Sequence, residues 1–401
     1  MMKKTHFHII ICLLLCVVIS GCTEQYALQT NTFESALVVE ATVTNELKQQ
    51  QIKITRTYRL EEQQPTVESG AEVTVTDSEG NQYFFEESAG VYLSTAPFQA
   101  VAGRTYRLNI VTGDGRTYNS TPEQMSPVNN MESLVPTVQV KNNERGVGLV
   151  VNSFDPTGSS KYYRYEYEET YKIIAPFWDD EKTILAPFQQ GDLHQGILII
   201  PRTEETQTCY HTNISDEIIQ TTTTGLGEDR VNFAVRFISV KDYIITHRYS
   251  ILVRQYVQNL ASYTYYKTLK NLSGSGSLLS QNQPGFFYGN IKSTDNPNEK
   301  VIGFFDVSTV SSERVFFNFT DLFPNDPLPK YVSDCKVKDF KDCFSNTDPE
   351  CKGAALRSII GSNSLVYVDS DGSQSHYFMV DPPCGDCTRI GSNIRPSFWT
   401  D

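Results

Sequence analysis

Histidine is scarce in this 401-residue chain: there are six, and only His194, His211, His247 and His376 lie beyond the first 22 residues. No His-Glu-x-x-His stretch and no Gly-x-Ser-x-Gly elbow occurs, so neither a zinc-peptidase helix nor a hydrolase nucleophile turn is legible. A triad assembled from distant residues leaves no such trace, so motifs are excluded and not the chemistry itself. Charged residues are few as well, at 20% against 11% aromatics, which argues for a large core and against disorder. Positive charge is the rarer sign: the net charge is -13 and becomes -15 without Lys3 and Lys4, the only charged residues among the first 21. Such a surface disfavours nucleic acid and anionic headgroups as partners. Beyond residue 22 no run of 18 apolar residues occurs, so no later helix is expected to cross a bilayer.

The one long apolar run stands at the start. After Lys3 and Lys4, the stretch Ile9 to Ile19 is broken only by Cys12 and Cys16. It has the length of a secretory h-region and is short for a bilayer span. It closes on Ile19-Ser20-Gly21-Cys22, which looks like a bacterial lipobox; a cleaved signal with a chance cysteine is the alternative. Residues 1–21 are therefore expected to be a lipoprotein signal peptide, with lipid on Cys22. Each buried methylene contributes roughly 0.8 kcal/mol, so two or three acyl chains would hold the chain on a membrane almost permanently.

Nine cysteines sort once the signal is set aside. Cys12 and Cys16 leave with it, and Cys22 carries lipid. Cys209, Cys335, Cys343, Cys351, Cys384 and Cys387 remain, an even number that in an exported chain favours disulfides. The pairing stays open.

Residues 22–35 are polar and aperiodic, as expected of a tether. From Ala36 the pattern switches to period two. Leu37 to Val43, Gln51 to Tyr58, Val73 and Val75, Tyr83 and Phe85, and Tyr106 to Ile110 alternate between turn signals such as Asp77 to Asn81 and Asp114-Gly115. That spacing predicts a β-sandwich over 36–125, of immunoglobulin or transthyretin-like type. Pro127 and Pro136 mark a boundary, and a larger β-rich domain is expected over 126–330. Its strands include Tyr163, Tyr165 and Tyr167 on one face with Arg164, Glu166 and Glu168 on the other. Ile197 to Ile200 reads as a buried strand, and Val231 to Phe237 and Ser250 to Val257 as two more. Asn259 is expected to cap a short helix bearing Tyr263, Tyr266 and Leu269, ended by the loop Ser273 to Ser277. Separate strands follow at Val301 to Val307 and Val315 to Phe319. Residues 331–401 hold five of the six cysteines and a hairpin around Asp369-Ser370-Asp371-Gly372, which predicts a disulfide-stapled cap on the second domain. The fold class expected is mainly β.

Several of these segments resemble, in order, a family of Bacteroidota outer-membrane lipoproteins whose common domain is known as domain of unknown function 4249. They include the lipobox at Cys22, Leu37-Val38-Val39-Glu40, Gly70 to Asp77, Gly90-Val91-Tyr92 and Cys209-Tyr210. Further on come Tyr249 to Tyr256, Gly289-Asn290-Ile291, Cys384-Gly385-Asp386-Cys387 and Arg395-Pro396-Ser397-Phe398-Trp399. The resemblance implies an outer-membrane lipoprotein, on the cell surface or the periplasmic face, often beside TonB-dependent receptor barrels. It carries no active site over.

Cys384-Gly385-Asp386-Cys387 admits three chemistries. A redox pair needs a helix N-terminus to lower the first thiol's pKa, and Pro382, Pro383 and Gly391 suggest a loop instead. Zinc would recruit Cys335, Cys343 or Cys351, but seven residues separate each of those and 32 precede Cys384. Disulfides are the favoured reading. Asp369-Ser370-Asp371-Gly372 echoes a calcium loop without its later glutamate, so a turn is expected, as at Asp77 to Gly80. The carboxylate neighbours Glu168-Glu169 and Asp179-Asp180-Glu181 sit as adjacent residues, which on a strand face opposite ways and do not make a glycosidase pair. Most tyrosines are expected in the core, and Phe177 and Trp178 are the candidate exposed aromatic contact. No catalytic residue, metal or cofactor is expected. The function expected is binding or assembly: an accessory subunit of a TonB-dependent receptor-type barrel, or a structural subunit of a larger outer-membrane complex. A surface hydrolase or thiol-redox protein is the third option.

Overall fold

The structure is a computed structural model that describes residues 35–58, 64–191, 193–274, 287–344 and 347–401. Cys22, the signal 1–21 and the tether up to residue 34 lie outside the described residues, as does the loop from Ser275. The chain is mainly β, as its alternating apolar pattern requires.

The first lobe is built from β1 (Leu37–Thr44), β2 (Gln51–Arg56), β3 (Thr66–Val67), β4 (Glu72–Asp77), β5 (Gln82–Ser88), β6 (Val91–Ser94), β7 (Thr105–Val111), β8 (Thr117–Ser120) and β9 (Glu123–Gln124). Leu37, Val39, Ala41 and Val43 of β1 all face inward, as do Ile52 and Ile54 of β2 and Tyr106, Leu108 and Ile110 of β7. The sheet order β1-β2-β6-β5-β4-β7-β8 curls over this core into a sandwich-like body.

The second lobe adds β10 (Met131–Lys141), β11 (Glu144–Phe154), β12 (Tyr162–Ile174), β13 (Glu181–Leu185), β14 (Ile197–Pro201), β15 (Thr208–Ile214), β16 (Ile219–Thr222), β17 (Arg230–Ser239) and β18 (Arg248–Gln258). The sheet β10-β11-β17 faces the sheet that contains β12 and β18, and Tyr163, Tyr165 and Tyr167 fill the space between them. Asn142 and Asn143, both at positive φ (52° and 63°), make the two-residue turn between β10 and β11.

The lobes are joined by a single long strand. After β19 (Ile291–Ser293), β20 (Val301–Asn318) pairs in parallel with β1 through residues 301–308, then antiparallel with β18 through 309–318. Two strands expected here are thus one. The polar stretch Ser308 to Arg314 reads as a break in sequence, yet Ser308 and Thr309 are buried where the strand passes from one core to the other. Residues 291–308, read from sequence with the second region, hydrogen-bond into the first lobe. Gly303 sits at φ 151°, and a Cβ there would lie 2.3 Å from the Val39 carbonyl oxygen. The Asn290 side chain closes the first lobe: its Oδ1 accepts from Phe305 N (2.7 Å) and its Nδ2 donates to Phe305 O (2.9 Å).

Within residues 331–401 lie β21 (Lys338–Lys341), β22 (Val366–Ser370) and β23 (His376–Val380), with the helix Gly353–Ser362 packed on them. Ile197 and Ile199 of β14 pack against this cap, while Leu198 is exposed. The expected buried strand is therefore one side of a two-stranded hairpin, and a lone hairpin can cover only one of its faces.

Candidate functional site

A cleft of about 1010 Å³ lies where β20 joins the lobes, on the outer face of the shared sheet. Its floor is assembled from alternate residues of neighbouring strands: Lys53, Glu40, Thr42, Tyr256, Arg164 and Glu166. One wall is the helix Leu260–Gly274, which presents Tyr266, Leu269 and Lys270. This helix starts where expected, with Asn259 Oδ1 accepting from Ser262 N at 2.8 Å. It runs through Ser273 and Gly274, because nothing in Leu269 to Ser273 breaks the 3.6-residue pattern. The opposite wall is Ile214 to Ile218, the link between β15 and β16.

Arg164 is the residue around which the floor is ordered. The alternation of β12 puts it on the face opposite Tyr163 and Tyr165, as the sequence pattern predicts. The helix covers that face and leaves Arg164 8% exposed. Its guanidinium lies 4.4 Å from the Tyr256 ring centre and 4.9 Å from that of Tyr266. Nη1 donates to Glu166 Oε1, and the Tyr256 hydroxyl donates to Glu166 Oε2 at 2.9 Å. Burial would raise the Glu166 carboxyl, but adjacent Arg164 and the Tyr256 hydroxyl outweigh it and hold the group below its usual value. Burial pushes the Tyr256 hydroxyl up, and the Glu166 charge adds to this.

Below the floor, Asp306 is fully buried, with Oδ2 accepting from Ser308 Oγ at 2.6 Å. Its Oδ1 and the Nε of Arg164 are both buried without a hydrogen-bond partner among the described residues. Desolvation drives the Asp306 carboxyl above its ordinary pKa, against the opposing pull of Ser308 and Arg164. The unpaired Asp306 Oδ1 and Arg164 Nε are thus sealed beneath the floor, while its accessible side chains, such as Glu40, Lys53 and Glu166, suit recognition of a polar or charged ligand.

The six cysteines form three bridges: Cys209–Cys387, Cys335–Cys384 and Cys343–Cys351, with Cα separations of 5.7, 5.5 and 5.2 Å. Cys384 and Cys387 do not bond each other. Pro382 and Pro383 occupy the first turn of a short helix, Pro382–Gly385, where a loop was expected; proline needs no N–H there. The Cys209–Cys387 bridge ties the cap to β15, and Trp399 wedges between Tyr210 and Phe316 nearby.

Phe177 and Trp178 lie away from the cleft, at the junction of lobe and cap. Phe177 is 39% exposed, and its N–H donates to Cys384 O at 2.9 Å. Trp178 packs partly against the second core, with Nε1 donating to Thr206 Oγ1 at 3.0 Å. Asp371 and Asp77 each accept backbone N–H bonds from their own turns, as turn-formers do. Among the described residues no group of three His, Cys, Asp or Glu side chains could hold a metal ion. His211 lies on β15, His376 on β23 and His194 and His247 in loops, and none lines the cleft.

Arg164, Glu166 and Tyr266 stand out in the sequence, but no local pattern unites them. Their only shared signal is a charged i, i+2 pair on a tyrosine-rich strand and a tyrosine on a capped helix. The register that joins β12 to β1 through β18 and β20 spans more than 250 residues of sequence.

No curated protein matches the chain. Residues 23–314 match the model of the family described as Domain of unknown function (DUF4249), a match that ends within β20, and the chain belongs to that family.

Proposed function

We propose that the protein is a non-enzymatic lipoprotein, anchored through Cys22 in the outer membrane, that binds a ligand beside a barrel of the TonB-dependent receptor type. The observation that carries the binding reading is the cleft, whose Arg164, Glu166 and Tyr256 are held by strands on both sides rather than by loops. The lipobox at Ile19 to Cys22 supports the anchor, three disulfides support an oxidising compartment, and the family resemblance implies the barrel.

A second reading, a structural subunit of a larger outer-membrane complex, is favoured by the β13–β14 hairpin. Phe188 is 64% and Leu193 88% exposed there, beside exposed Ile184 and Leu198, an apolar surface of the kind that docks proteins.

The test is purification of the native lipoprotein in mild detergent with mass spectrometry of what accompanies it. A receptor-type barrel in stoichiometric amount supports the first reading, and assembly-machinery subunits replace it with the second. Cys22→Ala should move the protein from the membrane to the soluble fraction, and retention on membranes would contradict the anchor.

A further inference from the structure

We infer that the open edge of β17 docks an extended segment of a partner polypeptide, which pairs with its main chain as an added strand. This surface is separate from the exposed β13–β14 hairpin, and the inference does not depend on what fills the cleft.

β17 is the last strand of the sheet β10-β11-β17 and pairs with β11 alone. Contacts at its two ends show which way its main chain points. Asp229 O, just ahead of the strand, accepts from Asp155 N at 2.9 Å, and a Cβ on Gly146 would stand 2.2 Å from Ile238 O. Both carbonyls therefore face β11 and its continuation. Successive residues of a strand alternate in this respect. Asn232 and Ala234, ahead of the bulge at Val235, and Phe237 beyond it thus turn their N–H and C=O groups to the open side. Among the described residues nothing outside the β11 ladder hydrogen-bonds the main chain of residues 230–238.

The open side is a groove of about 430 Å³. Phe233 to Phe237 all line it. Consecutive side chains of a strand face opposite ways, so an unbroken run of residues borders one groove only along the strand's edge. Glu217 and Ile219 of the β15–β16 segment line it as well, as do Lys141 and Lys270. Lysines and glutamates share the lining, so no single charge selects the occupant; the free main-chain groups do. A row of unpaired N–H and C=O groups is matched by another extended main chain. The sheet's other edge is closed to such pairing: β10 carries Pro136, which has no N–H, and Met131 N already donates to Ser311 Oγ at 2.9 Å. β17 contains no proline. Its bulge shifts the register between Ala234 and Phe237, so the edge favours a strand that can cross the bulge over a flat one.

The experiment is equilibrium dialysis of the full-length lipoprotein in mild detergent against a library of octapeptides, with Val or Thr at alternate positions and the others randomised. Retained peptides, read by mass spectrometry, should be enriched at least about fivefold over the buffer compartment. Resynthesised with N-methyl groups on every second residue, they keep their side chains and lose alternate main-chain donors. One phase of methylation should abolish the enrichment and the opposite phase should spare it. Hydrogen exchange of the complex should slow the β17 amides at least about tenfold and leave those of β10 unchanged. Ala234→Pro removes a donor that faces away from β11, and should abolish retention with the circular dichroism unchanged. Should that variant fail to fold, the two methylation phases and the exchange pattern decide without it. No enrichment, retention that survives both phases, or protection elsewhere than β17 overturns the proposal. Protection of β17 that rises with protein concentration and needs no peptide makes a second copy the occupant, and overturns it equally.

Discussion

Asn290 offers the sharpest test of how the first lobe is closed. β19 and β20 are not paired by backbone hydrogen bonds; the Asn290 amide does that work by bonding both N and O of Phe305, at 2.7 and 2.9 Å, and Glu123 Oε1 at 2.9 Å. Asn290 and Phe305 are both buried, so water cannot replace the amide freely. Asn290→Ala orphans one buried backbone donor and one acceptor, at about 1–3 kcal/mol each. Glu123 keeps the hydroxyl of Thr121 on Oε1 and the amide of Asn259 on Oε2, so its loss is partial. The expected destabilisation is roughly 2–5 kcal/mol, a large part of the ~5–15 kcal/mol that holds a typical domain. Asn290→Asp should be at least as harmful, since it cannot donate to Phe305 O and adds a charge beside Glu123. Urea unfolding followed by tyrosine fluorescence measures the effect. Asn232→Ala, which removes an exposed amide pair with Asn152, is the control and should stay within about 0.5 kcal/mol. If Asn290→Ala unfolds with the control, the closure does not depend on this side chain and the argument is wrong.

Gly289→Ala should fail to give folded protein, because its Cβ would stand 1.6 Å from the Gly303 carbonyl oxygen; recovery of wild-type circular dichroism would refute that approach. Non-reducing peptide mapping should recover Cys209 with Cys387 and Cys335 with Cys384, and a Cys384–Cys387 peptide would contradict the pairing. Replacing Cys209 and Cys387 together by Ser opens a bridge spanning 178 residues, for which chain entropy sets an upper effect of about 5 kcal/mol, read as a lowered urea midpoint. Burial would raise the Asp155 carboxyl, but bonds donated by Thr157 and Ser160 outweigh it and hold the group well below its unfolded value of roughly 3.9. Its stabilising contribution is therefore present above about pH 4 and lost as pH falls toward the folded value. The melting-temperature gap between wild type and Asp155→Asn should accordingly narrow as pH falls from about 5 to 2, and a constant gap would refute the assignment.

Where the controlling signal is local, it is readable. The period-two pattern of Leu37 to Val43 became β1, and Tyr163, Tyr165 and Tyr167 became a core face. Asn259 capped its helix. The failures share one cause. Ser308 to Arg314 reads as a break because a polar run resembles a loop, whereas Ser308 and Thr309 are buried where the strand passes between two cores. Ile197 to Ile200 looked buried on both faces because an apolar run does not say how many neighbours its strand has.

The mainly β class, the even number of cysteines available for disulfides and the family were determined by sequence alone, through periodicity, parity and ordered motifs. Tertiary structure decided the rest. Which cysteines meet depends on Cα atoms brought within 6 Å across as many as 178 residues. The cleft exists only because β20 pairs with β1 at one end and β18 at the other, placing Glu40 and Arg164 on one floor. Strand pairing between distant segments depends on register and on the packing of both sheet faces, and no short stretch of sequence contains either.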